Sequence, residues 1–446
     1  MRKTKKVVLI VGVVGNLGLL AYFKYANFFV YNFNALTGEN IVLDQIILPL
    51  AISFFTFQQI AYLFDLYQGE AKEYDFLHYC LFVTFFPQLI AGPIVHHKEM
   101  LPQFARDTFY KLKAQHLAVG FTIFFMGLFK KVVVADGIAV HATPVFESAE
   151  LGMALTFFEA WGAALAYTFQ LYFDFSGYSD MAIGLARMFG VVLPANFFSP
   201  FKADNIIDFW RRWHMTLSRF FRDYLYIPLG GNRKGTARSF FNIIITMLLG
   251  GLWHGAGWTF VFFGALHGFY LTVNHGWLWM QNKKGHEPKS SSWLGRSMSR
   301  IITFTAVTVS FVLFRAETME GAKIVYEGML GMNGVSFPYQ LKALAEWMQA
   351  LFPNSHIVAG ALGNFGSPNG VLKLFALLVL VWCTPNTLEW LHREKPALGV
   401  EKQAVKNNIG GWAWRPSIIH LTCVLFMAIV AIMCIQKESE FLYFQF

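Results

Sequence analysis

Long stretches of the chain contain no charged residue, and the polar positions are gathered into shorter segments between them. These uncharged runs approach, alone or with flanking aromatic residues, the roughly 20 residues that a helix needs to cross the hydrocarbon core of a bilayer. A soluble core would not need so many separate runs, so the pattern predicts an all-α integral membrane protein built as a polytopic helical bundle. The clearest runs are Val7–Leu20, Ile46–Phe64, Phe240–Leu249, Ile301–Phe314, Val371–Trp382 and Leu421–Ile435.

The first apolar run is expected to span Val7–Tyr25 and to end at an aromatic belt, with Lys24 snorkelling to the interface. Pro87 and the pair Gly92–Pro93 interrupt the apolar segment Phe76–Ile94 before it is clearly long enough to cross. Because backbone groups freed by such a break need protein or water around them, this segment is predicted to be a half-helix or re-entrant. Together the runs predict about nine spans of roughly 20 residues each.

Three further segments are predicted to be amphipathic helices at the membrane surface, namely Asn205–Tyr226, Thr318–Leu330 and Tyr339–Leu351. In the first of them, tryptophans and phenylalanines are expected against lipid or protein, with the arginines turned away. The remaining spans are predicted near Val119–Val134, Leu155–Phe173, Phe240–Trp253, Trp258–Trp279, Ser297–Phe314, Val371–Glu389 and Ile418–Ile435.

Composition agrees with a membrane protein. Of the 446 residues 55% are hydrophobic and only 14% are charged, whereas about 25% are charged in a typical soluble domain. The net charge of +9 lies in loops beside apolar runs, as the positive-inside rule describes, so the expected partner is a lipid bilayer and not nucleic acid. No small-residue cleavage site follows the first run, so we expect it to be retained. The segments Arg2–Lys6, Lys202–Arg238, Lys283–Arg300 and Arg393–Lys406 are predicted to face the cytoplasm, and Met332–Asn369 is predicted to face outward.

No internal repeat or low-complexity linker divides the chain, so residues 1–446 are predicted to form a single domain. The four cysteines lie in or against apolar segments without metal-ligand spacing, which predicts buried side chains and no disulfide framework. The sequence contains no HExxH, CxxC, Walker or GxSxG motif. We therefore expect no metal site.

Ionisable residues interrupt the apolar sequence around Gly177, in the segment YFDFSGYSDMAIGLARMFG. Charged groups are costly at membrane depth, so these are expected to be paired, to line a cavity or to function. One interpretation is a structural network in which Asp174 or Asp180 balances Arg187, and the other is a functional role for these groups. Broken, charged segments also occur in transporters of protons or small anions, but transporters usually contain duplicated halves, and none is visible here.

Three histidines, His214, His254 and His267, are embedded among aromatic and small residues. His254 lies in the sequence GGLWHGAG, whose glycines allow a substrate or another helix to approach the backbone closely. An imidazole in a low-dielectric site stays neutral and can accept a proton, which suits general-base catalysis on a hydroxyl or thiol. The alternatives are a hydrogen-bonded packing residue, or ligands of haem or copper, which would need paired histidines on facing helices.

The segment Lys202–Arg238 contains eight basic and three acidic residues. Such a segment could attract a cytosolic anion, but anionic lipid head groups account for the same charges. Both interpretations stay open at this point.

An ordered series of motifs resembles the membrane-bound O-acyltransferase (MBOAT) family, and within it the bacterial branch of the alginate O-acetyltransferase membrane subunit. The motifs are ISFFTFQQIAYLFD, FFPQLIAGPI, YFDFSGYSDMAIGLARMFG, WRRWHMTLSRFFRDYLYIPLGGNRKG and LLGGLWHGAGWTFVFFGALHG. The resemblance covers the chain from about Gly15 to its end. It implies a many-helix bundle with a cavity across the bilayer, with His254 of the WHG motif as the essential catalytic residue and His214 as the second recurrent histidine.

The resemblance also implies the reaction and its setting. An acyl group from a cytosolic thioester, acetyl-CoA as a substrate rather than a bound cofactor, would pass across the bacterial inner membrane to a secreted exopolysaccharide such as alginate. Periplasmic or membrane-anchored acetyltransferase proteins would carry the group onward. A sibling activity, D-alanyl transfer to teichoic acid from a carrier protein, is the alternative within the family.

A thioester needs no covalent protein nucleophile if a base deprotonates the incoming hydroxyl in place. The GGNRKG turn, with its backbone amides, Arg233 and Lys234, is a candidate dock for the phosphates of coenzyme A. The candidate substrate-binding and donor-binding residues are Arg211, Arg212, Arg233, Lys234, Trp253, Asp174 and Asp180.

Relatives usually begin with further membrane segments before the region that matches GNLGLLAYFKYANFF. We therefore expect this chain to lack the family's most N-terminal spans, through a shortened gene model, an alternative start or a smaller member. The later basic loops predict the same orientation as Arg2–Lys6, independently of where the chain begins.

Overall fold

A computed structural model describes residues 2–44, 46–69, 76–90, 92–106, 111–283, 292–338, 342–353, 357–360, 368–400, 412–435 and 442. Parts of the predicted loops Lys283–Arg300, Arg393–Lys406 and Met332–Asn369 lie outside these residues. The α-helices are α1 (Arg2–Leu20), α2 (Ala26–Thr37), α3 (Ile52–Gln68), α4 (Phe76–Thr84), α5 (Phe86–Leu89), α6 (His97–Phe104), α7 (Ala114–Phe129), α8 (Asp136–Ala139), α9 (Thr143–Glu150), α10 (Phe157–Met188), α11 (Ile206–Trp210), α12 (Met215–Phe221), α13 (Thr236–His254), α14 (Trp258–Lys283), α15 (Trp293–Arg315), α16 (Met319–Met329), α17 (Lys342–Leu351), α18 (Pro368–Cys383), α19 (Thr387–Trp390) and α20 (Ile418–Cys434).

Other regular elements are short. The π-helical segments are Ala21–Tyr25, Lys130–Ala135 and Arg222–Tyr226, and the 3-10 helices are Pro200–Lys202 and His392–Glu394. Two strands, β1 (Val335–Pro338) and β2 (Ile357–Gly360), pair in parallel, and α17 lies between them in the chain. The sequence analysis did not predict these strands, but the fold is all-α in its membrane part, as predicted.

Helices long and apolar enough to cross a membrane confirm the prediction of a membrane protein. By length and composition these are Thr4–Thr37, Ala114–Ala139, Thr236–His254 and Trp293–Arg315, with shorter apolar helices at Asn369–Cys383 and Ile418–Cys434. The count of about nine spans, each of roughly 20 residues, stays a prediction.

The first helix does not end at Tyr25, so that prediction is wrong. The π-helical segment Ala21–Tyr25 joins α1 to α2, and the helix continues to Thr37. It ends at Gly38, whose left-handed backbone (φ 75°) lets its N–H donate to the carbonyl of Asn34. Lys24 does not snorkel to an interface, because its ammonium donates to main-chain carbonyls at the end of α13.

The span predicted at Leu155–Phe173 is longer in the structure, because α10 continues as one helix of 32 residues to Met188. Within it, Gly177 permits close approach to α7. A Cβ atom on Gly177 would lie 2.7 Å from the carbonyl oxygen of Gly127, and one on Gly127 would lie 2.5 Å from that of Gly177. The two backbones therefore meet at this pair, and α10 is buried over most of its length.

Lysines from the π-helical segment after α7 balance the aspartates of α10. Lys130 Nζ lies 2.6 Å from Asp180 Oδ2, and Lys131 Nζ lies 2.7 Å from Asp174 Oδ1. Arg187, predicted to be their counter-ion, donates instead to the main-chain carbonyl of Glu394 at 3.2 Å. The prediction that these aspartates belong to a structural ion-pair network is confirmed, but the prediction that Arg187 is their counter-ion is wrong.

Two other predicted helix breaks and two predicted helices lie close to where the sequence indicated them. The segment Phe76–Ile94 breaks at Phe85, where the extended backbone (φ −62°, ψ 97°) separates α4 from α5. The surface helices predicted at Thr318–Leu330 and Tyr339–Leu351 are present as α16 and α17. The break between α13 and α14 falls in the predicted sequence LGGLWHGAGW, since α13 ends at His254.

Candidate active site

His214 lies at a break in the segment Asn205–Tyr226, which was predicted to be one amphipathic helix. That prediction is wrong, because α11 ends at Trp210 and α12 begins only at Met215. The backbone of His214 is left-handed (φ 41°, ψ 53°), a conformation that few non-glycine residues adopt and that the α-helix does not contain. The side chain is thereby directed into the protein, where it is buried.

A hydrogen-bond chain fixes the imidazole of His214. Its Nδ1 lies 2.9 Å from Oδ1 of Asn196, which also accepts from the Thr216 hydroxyl at 3.0 Å. The Thr216 oxygen accepts in turn from the N–H of Ile94 at 3.0 Å, and the Asn196 amide donates to Ser179 at 3.2 Å. Because Oδ1 can only accept, Nδ1 of His214 holds the ring proton and Nε2 holds the lone pair.

His254 is the last residue of α13 and is buried beside His214. The centroids of the two imidazole rings are 6.4 Å apart. The ring of Phe314 packs against His254 edge-on at 5.0 Å, and that of Phe263 does so at 6.1 Å. The structure therefore brings together the two histidines that the sequence analysis selected, in a surrounding of aromatic side chains.

A cavity of about 390 Å³ extends between α11, α12, α13 and α14, and His254 lines it. A second cavity of about 580 Å³ shares six lining residues with the first. The shared residues are Ile207, Trp210, Arg211, Ser218, Arg222 and Leu271. We call the larger cavity, whose lining includes Arg211, Arg219 and Arg222, the basic chamber. We call the smaller one, in which mainly apolar side chains line the space beside His254, the apolar chamber, although Arg211 and Arg222 line it too.

The three arginines of these chambers differ in their partners. Arg219 forms a two-point ion pair with Glu99, and Arg222 pairs with Asp223 at 2.7 and 3.1 Å. The hydrogen bond to Asp223 raises the pKa of Arg222, so its charge is permanent. Arg211 is exposed and lines both chambers.

The other predicted binding residues lie outside the lining of both cavities. Arg212 pairs with Asp208 at 2.9 Å, and Arg233 and Lys234 are exposed on the following turn, next to Asn232, which does line the smaller cavity. Trp253 packs instead on Phe57 and Phe54, with ring centroids 5.2 and 5.4 Å away. Asp174 and Asp180 lie in the ion pairs of α10 described above. Binding roles for these residues stay predictions that the cavity geometry does not support.

His267 is a buried histidine with both ring nitrogens hydrogen-bonded. Trp210 Nε1 donates to its Nδ1 at 3.3 Å, so the ring proton is on Nε2, which lies 2.8 Å from the Ser310 hydroxyl. Ser310 donates to the carbonyl of Val307 at 2.7 Å. The ring therefore serves packing, and among the described residues no cluster of three or more His, Cys, Asp or Glu side chains could hold a metal ion.

The glycines around His254 mainly serve helix contact. A Cβ atom on Gly251 would lie 2.2 Å from the carbonyl oxygen of Phe260 and 2.9 Å from Gly264 of α14. One on Gly255 would overlap the ring of Phe260 at 2.1 Å. Of the two predicted reasons for this glycine density, close approach of another helix is confirmed.

A family model decides what kind of protein carries this site. The model of the membrane-bound O-acyltransferase family matches residues 67–314, more than half of the chain, including His214, His254 and nearly all of the cavity lining. The chain belongs to the membrane-bound O-acyltransferase family. It is therefore a membrane-bound acyltransferase, and the transporter alternative is set aside.

Relatives of this membrane-bound O-acyltransferase carry three different activities in their names. The peptidoglycan O-acetyltransferase of Helicobacter pylori is 42% identical over 470 residues, covering 99% of this chain and 83% of the relative. The probable alginate O-acetylase AlgI of Pseudomonas putida is 36% identical over 445 residues, covering 98% and 84%. A teichoic acid D-alanyltransferase of Streptococcus thermophilus is 29% identical over 286 residues, covering 59% and 68%. The resemblance inferred from the motifs is thereby confirmed.

Proposed function

We propose that this multi-pass protein of the bacterial inner membrane transfers an acetyl group from a cytosolic thioester, acetyl-CoA, toward a hydroxyl of a polysaccharide outside the cytoplasm. One observation carries the proposal. A buried histidine, His254, lines the apolar chamber, which shares the lining residues Arg211 and Arg222 with the basic chamber, and its ring centroid lies 6.4 Å from that of His214.

His254 acts in this proposal as the general base. It accepts the proton of the attacking hydroxyl while the oxygen bonds to the thioester carbonyl carbon. The carbon–sulfur bond then breaks, and the imidazolium returns the proton to the leaving thiolate, so that the products are an O-acetyl ester and a free thiol. His214 orients the substrate or assists proton transfer, and its ring proton on Nδ1, donated to Asn196, directs the lone pair of Nε2 away from that bond.

The donor dock is assigned to the basic chamber. A thioester of coenzyme A has an anionic nucleotide end and a thin, largely uncharged arm, which match a basic chamber that shares lining residues with an apolar one. Arg211 and Arg222 line both chambers. We therefore expect Arg211 and Arg222 to bind the phosphates. Arg233 and Lys234 of the GGNRKG turn, the candidates from the sequence, line neither chamber.

The acceptor is proposed to be a polysaccharide of the cell envelope. The relatives of Helicobacter pylori and Pseudomonas putida, which match nearly the whole chain, are named for acetylation, one of peptidoglycan and the other of alginate. The match to the D-alanyltransferase of Streptococcus thermophilus covers 59% of this chain and gives weaker support. Periplasmic or membrane-anchored acetyltransferase proteins are proposed to complete the transfer to the polymer.

Replacement of His254 tests the catalytic assignment. We expect His254→Ala to lower acetyl transfer by about 10²- to 10⁴-fold, the usual contribution of a general base. Release of coenzyme A thiol by the purified enzyme and the O-acetyl content of isolated peptidoglycan and exopolysaccharide are the two measurements. The first reports the chemistry, and the second identifies the acceptor.

His267→Gln is the matched control, because His267 is equally buried but has both ring nitrogens hydrogen-bonded within the protein. We expect it to lower stability and to keep the activity per folded molecule. Unchanged acetylation by His254→Ala at normal abundance would remove the catalytic assignment.

A further inference from the structure

The C-terminal end of α13 has main-chain carbonyls that the helix itself cannot satisfy. The last carbonyls of any α-helix have no N–H partner within it. Gly255 is extended (φ −160°, ψ 151°), so the chain leaves the helix directly after His254. Side chains of the first helix hydrogen-bond the carbonyls of Leu252, Trp253 and His254 instead.

Lys24 and Tyr25 provide these bonds. Lys24 Nζ lies 2.6 Å from the carbonyl oxygen of Trp253 and 3.1 Å from that of His254, and the Tyr25 hydroxyl donates to Leu252 at 2.8 Å. Lys24 Nζ also lies 5.9 Å from the centroid of the Trp253 ring. A cation at a helix C-terminus interacts favourably with the helix dipole and with an aromatic face. The ammonium is thus stabilised where an apolar surrounding alone would disfavour it.

Both residues belong to the π-helical segment Ala21–Tyr25, while the flanking α1 and α2 are exposed along most of their length. Single π-helical turns are rare, and they frequently mark functional sites. A second contact follows about two turns later, where Trp258 Nε1 donates to the side-chain oxygen of Asn32 at 2.8 Å. The first helix therefore contacts the chain on both sides of the break that follows His254.

We propose that Lys24 and Tyr25 are positioning residues for His254. The inference rests on the proposed role of His254 as the catalytic base. Neither residue lines the cavity, and both contact main-chain atoms of α13, so they act through His254 and not on the substrate. Their bonds fix where the helix ends, and the imidazole of its last residue is thereby held relative to His214 and to the cavity.

Steady-state kinetics of the purified full-length enzyme, with acetyl-CoA and a soluble glycan acceptor, tests the proposal. We expect Lys24→Met to lower kcat by about 10- to 100-fold, because small displacements of a catalytic group have effects of this size. The KM for acetyl-CoA should stay within about twofold, since ground-state binding is not altered. Lys24→Arg keeps a cation and hydrogen-bond donors, so we expect it to restore most of kcat.

Lys6→Met is the matched control, because Lys6 is an exposed lysine of the same helix, and we expect its kcat to equal that of the wild type. A wild-type kcat in Lys24→Met overturns the proposal. So does a Lys24→Arg enzyme as slow as Lys24→Met with the same decrease in melting temperature, since that assigns a structural role only. If Lys24→Met does not accumulate as folded protein, Tyr25→Phe decides: a lower kcat per folded molecule supports the proposal, and an unchanged kcat overturns it.

His254→Ala in the same assay separates the two hypotheses. An inactive His254→Ala beside a fully active Lys24→Met removes the positioning role and leaves the proposed function intact. An active His254→Ala removes His254 as the catalytic base, and with it the premise of the positioning role.

Discussion

Nδ1 of His214 lies 2.9 Å from Oδ1 of Asn196, and both side chains are buried. The main-chain carbonyl of Asn196 also accepts a hydrogen bond from the N–H of Met215 at 2.9 Å. Asn196 therefore holds both the backbone next to His214 and the imidazole ring. The left-handed conformation of His214 and the tautomer of its imidazole thus depend on one residue. Nothing about the local sequence NFFSP marks that residue as part of the site.

Removal of the Asn196 acceptor is expected to affect both stability and rate. Asn196→Leu leaves the ring N–H of His214 and the Thr216 hydroxyl in the interior without their acceptor, at about 1–3 kcal/mol for each buried group. Because the ring is then free to change tautomer, we also expect kcat to fall by about 10- to 100-fold. Melting temperature and kcat per folded molecule are the measurements.

Thr216→Val is the control for this prediction, because it breaks the same chain at Ile94 but leaves the bond between His214 and Asn196 in place. It should destabilise the protein with a smaller loss of kcat. Equal kcat in all three proteins would show that the tautomer of His214 does not matter for turnover.

Removal of only one partner of the ion pair between Lys130 and Asp180 is expected to lower the stability of the protein strongly. Asp180→Asn leaves the Lys130 ammonium, whose side chain is only 15% exposed, without its counter-ion, at about 3–5 kcal/mol. The double variant Lys130→Met, Asp180→Leu should be more stable than Asp180→Asn, because no uncompensated charge remains. Glu327→Gln, in a helical i,i+4 pair with the exposed Lys323, is the control and should change stability by less than about 0.5 kcal/mol. A double variant less stable than the single one would contradict this account.

Substitution by alanine is expected to have opposite effects on stability at Gly177, where α7 and α10 meet, and at Gly15 of α1. Gly177→Ala places a Cβ atom 2.7 Å from the carbonyl oxygen of Gly127, and we expect a loss of about 1–3 kcal/mol from overpacking. Gly15→Ala meets no atom within 4 Å, and in a helix it should stabilise by up to about 1 kcal/mol. Melting temperatures of the two variants in one detergent compare them directly. A neutral Gly177→Ala would mean that the two helices can separate without cost.

Reversal or removal of positive charge at the two chambers tests where the acetyl-CoA donor binds. Arg211→Glu and Arg222→Gln are expected to raise the KM for acetyl-CoA by about tenfold or more, since a hydrogen bond to a charged group contributes about 1.5–3 kcal/mol. The effect of Arg211→Glu should weaken at high salt, because Arg211 is exposed. Initial rates over a range of acetyl-CoA concentrations give KM. The double variant Arg233→Glu, Lys234→Glu should leave KM nearly unchanged. A raised KM in this double variant, with an unchanged KM in the Arg211 and Arg222 variants, would assign donor binding to the GGNRKG turn instead.

Local signals in the sequence predicted the break beside the candidate site and selected His214, His254 and His267, of which the structure brings the first two together. Glycine, tryptophan and histidine in LGGLWHGAGW predicted the break at which α13 ends, because the cause of that break lies within the motif itself. His214 and His254 were likewise selected from their surroundings, and the structure places their rings 6.4 Å apart. The distance itself could not be predicted, since it depends on how α12 packs against α13.

The failed predictions share a physical cause, which is pairing between residues distant in the chain. Arg187 was expected to balance Asp174 or Asp180, but the cation that pairs with Asp180 is Lys130, 50 residues away from it. The helix expected over Asn205–Tyr226 is divided because Asn196, outside that segment, bonds His214. A periodic pattern of apolar residues reports which face is buried, but it contains no information about which distant polar group will compensate a charge.

The partners of Lys24 lie 229 and 230 residues further along the chain. At about 5–20 residues per second, the ribosome needs about 10–50 s to proceed from one to the other. Throughout that interval the Lys24 ammonium has no carbonyls of α13 to bond, and an ammonium without partners is costly in hydrocarbon. We therefore expect the helix that carries Lys24 to stay near water or near the insertion machinery until α13 emerges. The enzyme becomes competent for acyl transfer only at this late stage of its biogenesis.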